Sequence, residues 1–405
     1  MKSKVSIREI TALIGLYNSA SMAIQLGPLF HRYLDSDKCL ALKENLQNYD
    51  KKICLSNNSV NEIEWWINNV KNYNGKVIRP QSPNVYLYTD ASLKGWGAAI
   101  EKGEHTQGRW NYEESRLHIN LLELKAIYFA LLAFCKRYEN IHICIRSDSS
   151  TAVTYINRRG GSILPLSNEA KNIWIWCFNR NIYLSAVHIP GKENVIPDYL
   201  SREFNDCSEW MLRRDIFDKI SKTFFIPKID LFAPRVNTQI RNNYVSWFPD
   251  PDAVDCDAFS LSWNNISDPY IFPPFSQLAR VLQKVEDDQV NRALLICPLL
   301  TTQVWFPKLL KLLVDFPVKI PIKKRFVNAC PQPSSSSFEQ EKNVSHRLLH
   351  IRRHMHLLNR DLSKQASKVI TASWRHSTNK QYEYLWRAWI RWCDKRNIIP
   401  LHQMK

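Results

Sequence analysis

Apolar positions recur with different periods in successive stretches of the chain. Over residues 1–80, segments such as IREITALIGLYNSA and NEIEWWINNV repeat them at helical spacing, and a polar, turn-rich stretch ending at Pro80 and Pro83 closes this region. From 84 to 204 the pattern alternates. NVYLYTD and GWGAAIE read as strands, INLLELKAIYFALLAFCKRY as a long helix and IHICIRSD as a strand; two helical stretches and the strand NIYLSAVHIP follow. Early hairpin strands succeeded by alternating helices and strands predict an α/β fold, a mixed sheet flanked by helices. Residues 205–320 form a central region rich in Pro, Phe and Trp, expected to be α/β as well. PQPSSSS makes 321–342 a linker, and 343–405 reads as an all-α segment. There Thr378 and Gln381 form a T-x-x-Q capping box ahead of an apolar stripe, Tyr382, Leu385, Trp386, Trp389, Ile390 and Cys393. Arg387, Arg391 and Lys395 make a second, basic row four residues apart.

Charge changes this picture. The 405 residues carry 55 Lys and Arg against 38 Asp and Glu, a net +17 that points to a polyanionic partner such as nucleic acid. Residues 321–405 hold 17 basic and 5 acidic residues, a net +12, which leaves +5 for the first 320. Glycine is skewed the other way: the last of 10 is Gly191, so a glycine-rich phosphate loop is excluded from everything beyond it. The 10 cysteines include no C-x-x-C pair, which argues against a zinc cluster or a disulfide framework and suits a reducing compartment. Arg8 and Glu9 interrupt any signal-peptide core, and no apolar run approaches the roughly 20 residues that span a bilayer. A soluble intracellular protein with no membrane partner is expected, with cytoplasm and nucleus both open.

The alternating region also carries candidate chemistry. Strand NVYLYTD ends in Asp90 and strand IHICIRSD in Asp148, at termini where a sheet presents reactive groups. Glu123 shares a helical face with Ile127, Ala130 and Phe134, the stripe that should pack on the sheet, where a carboxylate is costly unless something positive compensates it. Asp198 follows the last strand. Clustered carboxylates in this order are the parts of a two-metal phosphoryl-transfer site.

The segments YTDAS, LLELKAI, RSDSS and HIPGKENVIPDYLSR resemble the ribonuclease H domain of retroelement reverse transcriptases. The resemblance implies a ribonuclease H-like sheet over 84–204, with the family's four metal-binding acids on Asp90, Glu123, Asp148 and Asp198. It implies two Mg²⁺ ions, replaceable by Mn²⁺, and an RNA/DNA hybrid recognised through the 2′-hydroxyl of the strand to be cut. The family's mobile-loop histidine stands ten residues before its last Asp, which is His188 here, and it implies a role in proton transfer or product release. Asn157, Arg158 and Arg159, after the helix that follows Asp148, are candidates for contact with the nucleic-acid backbone; a solvated helix end is the equal alternative.

The flanks carry further resemblances. Residues 1–80 resemble the thumb and connection part of a reverse transcriptase, but no Y-x-D-D turn occurs and polymerisation is not expected. IDLFAPRVNTQ, DCDAFSLSW, IFPPFS and LLICPLLTTQVWF resemble the adenine-N6 methyltransferase-like domain of DIRS-type retrotransposons. There Phe272 replaces the residue that holds the amino group of a flipped base, so a degenerate region without methyl transfer is expected, although Phe275 could stack on a base. The segment SWRHSTNKQYEYLWRAWIRWCDKRNIIP is similar to the first helices of the core-binding, SAM-like domain of tyrosine recombinases, implying DNA as partner of Arg387, Arg391 and Lys395. This order implies a fragment of a DIRS-like polyprotein, truncated at both ends and without recombinase catalysis, with other polyprotein parts as possible partners. The alternative is a non-catalytic nucleic-acid-binding remnant.

Overall fold

A computed structural model of the protein describes residues 4–71, 75, 82–101, 103–204, 210–320, 327–329 and 346–352. Met1–Arg353 forms one compact unit; His354–Lys405 forms a second, which lies outside the described residues together with Arg387, Arg391 and Lys395.

Three helices open the chain: α1 (Ile7–Ala20), α2 (Arg32–Glu44) and α3 (Asn57–Asn69). Ser6 caps α1 through a reciprocal capping box with Glu9, and Ile7, Ile10, Ile14 and Tyr17 form its buried stripe. The first turn of α2 is capped from α3 instead. Glu62 accepts hydrogen bonds from the Tyr33 and Leu34 amides at 3.1 and 2.9 Å, satisfying donors that a helix start leaves unpaired. Tyr17 stacks on Trp66, and the Trp66 indole donates to the Phe30 carbonyl at 2.8 Å.

The first sheet contains β1 (Val85–Ala91), β2 (Gly95–Ile100), β3 (His105–Arg109), β4 (His142–Ser147) and β5 (Tyr183–His188) in the order β3-β2-β1-β4-β5. The first three strands are antiparallel neighbours; β4 runs parallel to β1 and β5 parallel to β4. Helices α4 (Ile119–Phe134), α5 (Ser150–Asn157) and α6 (Leu164–Phe178) follow the strands, and α7 (Val195–Arg202) returns to the sheet after β5. This is the mixed sheet with flanking helices that the hydrophobic pattern predicts. The opening helices share its core. Lys171 of α6 lies over the Phe30 ring, Asn168 donates to the Tyr33 hydroxyl at 2.7 Å, and Arg32 donates to the carbonyls of Arg158 and Arg159.

Gly97 fixes where α7 sits. A Cβ there would strike the Pro197 carbonyl and come within 2.6 Å of Leu200 Cβ, so only a bare backbone lets the helix approach β2 this closely.

The central region is α/β. After α8 (Arg214–Thr223), strands β6 (Ile229–Asp230), β7 (Pro269–Ile271) and β8 (Arg292–Pro298) pair in parallel, with α9 (Leu278–Asp287) between the last two and α10 (Phe306–Leu312) after them. Short β9 (Val318–Lys319) and β10 (His346–Arg352) complete the sheet in the order β9-β10-β8-β7-β6. Leu278, Val281, Leu282 and Val285 give α9 its buried face. The strand at His346–Arg352 corrects the helical expectation for the start of 343–405. A seven-residue run with three apolar residues is too short for periodicity to separate helix from strand, and the open edge of β8 supplies the pairing. Phe272 is buried in the apolar cluster around Tyr270, and Phe275 packs against the same cluster.

The central region also grips the first sheet. Arg235 makes a bidentate pair with Glu114 at 2.6 and 3.0 Å, both side chains being largely buried, and lies over the Phe129 ring of α4. Lys136 donates to the Ala253 carbonyl at 2.8 Å. Among the described residues no helix is long and apolar enough to cross a membrane. Substituting Gly97→Ala should lower stability by about 1–3 kcal/mol through overpacking against α7. Urea denaturation measures this, and an unchanged midpoint would show that α7 does not need the close approach.

Candidate active site

The sheet brings three carboxylates to one end. Asp90 is the penultimate residue of β1, Asp148 follows β4 directly, and Glu123 lies in the second turn of α4 on the face against the sheet. One carboxylate oxygen from each can be chosen so that all lie within 4.8 Å of one another. The group opens on a cavity of about 400 Å³ that Ser92, Asn120, Ser149 and Arg202 also line.

Local chemistry fixes each ligand-bearing segment. Ser149 caps α5 by accepting from the Ala152 amide, which sets the turn carrying Asp148. His118 caps α4 by accepting from the Asn120 amide at 3.2 Å. Asn194 donates to the Thr89 carbonyl at 3.0 Å and ties the segment after β5 to β1. Gly191 lies in that segment, where a Cβ would be 3.3 Å from Asp148 Oδ2.

The electrostatics are unfavourable as they stand. Asp90 is 3% exposed and Glu123 8%. Asp90 Oδ2 and Glu123 Oε2 are buried with no hydrogen-bond partner. Burial, reinforced by the charges of Asp148 and Asp198, pushes the Asp90 carboxyl up to about 6. Burial, reinforced by Asp90 and Asp148, pushes Glu123 up to about 9. Clustered carboxylates that line a shared cavity and include unpartnered acceptors suit a hard divalent cation, whose preferred donors are carboxylate oxygens.

The other candidates divide. Asp198 lies on α7 and is close enough for its charge to act on Asp90, but it stands outside the three-residue cluster, with Oδ1 2.7 Å from Arg202 Nε. His188 is exposed at the end of β5, with Nε2 3.0 Å from the Asp148 carbonyl. Asn157 donates to the Ala186 carbonyl and accepts from its amide, so its side chain clamps α5 to β5. Arg159 is buried with its guanidinium over the Trp174 ring, whereas Arg158 is exposed. The sequence does not single out the lining residues Ser92, Asn120, Ser149 and Arg202, although two of them carry a signal. Asn120 precedes Glu123 by three positions and Arg202 follows Asp198 by four, spacings that put each pair on one helical face.

No family model matches the chain, and no curated protein matches it. Among solved structures, RNase H1 from the halophilic archaeon Halobacterium salinarum aligns at 18% identity over 29% of this chain and 92% of its own, with a TM-score of 0.25. LC11-RNase H1 in complex with an RNA/DNA hybrid aligns at 22% identity over 29% of this chain and 93% of its own, with a TM-score of 0.26. The N-terminal RNase H domain of a Mycobacterium tuberculosis protein aligns at 17% over the same share, with a TM-score of 0.21.

The raised carboxyls have a signed consequence for stability. A group whose pKa is higher folded than unfolded stabilises the fold at low pH, and that contribution is lost as pH rises through the folded value. For Glu123 the loss is complete only above about 9. In EDTA, Glu123→Gln should therefore be more stable than the parent, by a margin in melting temperature that widens between pH 5 and pH 9. A margin that stays constant with pH would show that Glu123 is not held protonated by its surroundings.

Proposed function

We propose that this protein hydrolyses phosphodiester bonds in the RNA strand of RNA/DNA hybrids, using divalent cations held by its carboxylate cluster. The observation that carries this reading is the convergence of Asp90, Glu123 and Asp148 at an open cavity, two of these carboxylates being buried with one oxygen left unpartnered. Asp90, Glu123 and Asp148, with Asp198 nearby, would hold the cations. Two Mg²⁺ ions, with Mn²⁺ as a substitute, would supply an activated water and Lewis acidity. The protein's own groups do the rest. His188, exposed beside Asp148, assists proton transfer or product release. Asn120 and Ser149 line the cavity as uncharged hydrogen-bonding groups suited to sugar hydroxyls and phosphate oxygens. Asn157 and Arg158, both exposed at the end of α5, are the candidates for contact with the nucleic-acid backbone.

The experiment is metal-dependent cleavage of an end-labelled hybrid. Asp90→Asn should lower the rate by at least about 100-fold, since even residues that only support a metal ligand can cost that much. Equal inactivity of parent and variant in both Mg²⁺ and Mn²⁺ would end the enzyme reading.

On the order of its motifs we also read the chain as part of a DIRS-like retroelement polyprotein, with a DNA-binding recombinase-type segment in the part of 343–405 that follows β10 and a methyltransferase-like central region that transfers no methyl group. Clustering of +12 in residues 321–405 supports DNA binding there. If Arg387, Arg391 and Lys395 each neutralise a phosphate, replacing all three by Ala should reduce the slope of log affinity against log salt by about 3. An unchanged slope would place the phosphate contacts elsewhere.

A further inference from the structure

Arg202 stands where the acidic centre needs positive charge. It is the last residue of α7 and lines the same cavity as Asp90, Glu123 and Asp148. Its Nε donates to Asp198 Oδ1 at 2.7 Å, one helical turn back, and the two side chains are 57% and 43% exposed. The backbone beneath is fixed. Ser92 Oγ donates to the Ser201 carbonyl at 2.6 Å, and α7 is seated on Gly97. The guanidinium is therefore anchored at one end and restrained at the other by an exposed ion pair, which is a weak restraint. Its charge reaches the centre, acting against the upward shifts of both Asp90 and Glu123. Asp198 is thus the one carboxylate among the four that already has a cationic partner, and the only one of them outside the three-residue cluster.

Resting on the two-metal reading above, we propose that Arg202 is a tethered cation that competes with divalent ions for this centre. With no ion bound, it supplies counter-charge to the cluster and occupies Asp198. Parting of the Arg202–Asp198 pair frees that carboxylate to join the other three. Arg202 acts through its charge on the cluster and through its hold on Asp198, and is a positioning residue.

The test is binding of Mn²⁺ to the full chain, followed by the electron paramagnetic resonance signal of the free ion. A unit charge on the order of 8 Å from a divalent ion, in a water-like dielectric, opposes binding by about fivefold. Arg202→Gln should accordingly tighten Mn²⁺ binding by about that factor or more, and Arg202→Lys should return it to the parental value. In an Asp198→Asn background the effect of Arg202→Gln should shrink, because the two residues act together. Arg202→Met serves the same purpose if the Gln variant folds poorly, as judged by circular dichroism. If the parent binds Mn²⁺ no better than Asp90→Asn, the metal-centre reading itself fails. If the parent binds and Asp90→Asn does not, but Arg202→Gln and Arg202→Met leave the affinity unchanged or weaker, the competition role of Arg202 is wrong.

Discussion

The crowding of three carboxylates, two of them withdrawn from water, is the constraint on which the first sheet's functional end depends. Asp90 and Glu123 are buried without partners for one oxygen each, and Asp148 adds a third acid within reach of both. Burying such groups costs several kcal/mol unless they are neutralised by protons or by a cation. The protein tolerates this because each acid is held by an element that has other reasons to be in place. β1 is the central strand, hydrogen-bonded on both sides, and α4 is buried against it through Leu122, Ile127 and Ala130. Local instability at a functional centre, offset by packing elsewhere, is the usual trade between stability and activity.

That packing comes from both sides of the sheet's own sequence. The opening helices add Trp66, Phe30 and Leu34 to the core beneath α6. The central region reaches α4 with Arg235, whose charge is matched by Glu114 in a fork that excludes most solvent. Breaking a buried pair of this kind strands a charge, which makes the contact more costly to lose than its net contribution would suggest. Phe129 of α4 meets Trp96, Trp110 and Arg235, so α4 and the carboxylate it carries are held from several sides.

Much of this arrangement is visible in the sequence because it is local. Strand-end Asp90 and Asp148 and the sheet-facing position of Glu123 follow from periods of two and 3.6 residues, and the order of the sheet agrees with hairpin strands followed by alternating units. What escapes is set by tertiary contact. Arg159 reads as an exposed helix-end cation, but its positive φ of 51° turns it inward onto Trp174. Asn157, a candidate for backbone contact or a solvated helix end, is exposed, but it also binds both hydrogen-bonding groups of Ala186 on a strand 29 positions away. The Glu114–Arg235 fork joins residues 121 apart, a separation at which no local pattern operates. Arg202 was accessible in principle, since its spacing from Asp198 marks a pair on one helical face. The strand at His346–Arg352 was not, because an apolar run of that length takes its form from the edge beside it.

The proposed hydrolysis requires the carboxylate cluster to be a divalent-cation site. Anomalous scattering from crystals of the full chain soaked in Mn²⁺ tests this most directly. The predicted result is manganese bound to Asp90, Glu123 and Asp148, with a second ion about 3.5–4 Å away when nucleic acid is present. Crystals that take up Mn²⁺ elsewhere and leave these three carboxylates without a peak at saturating concentration would contradict it.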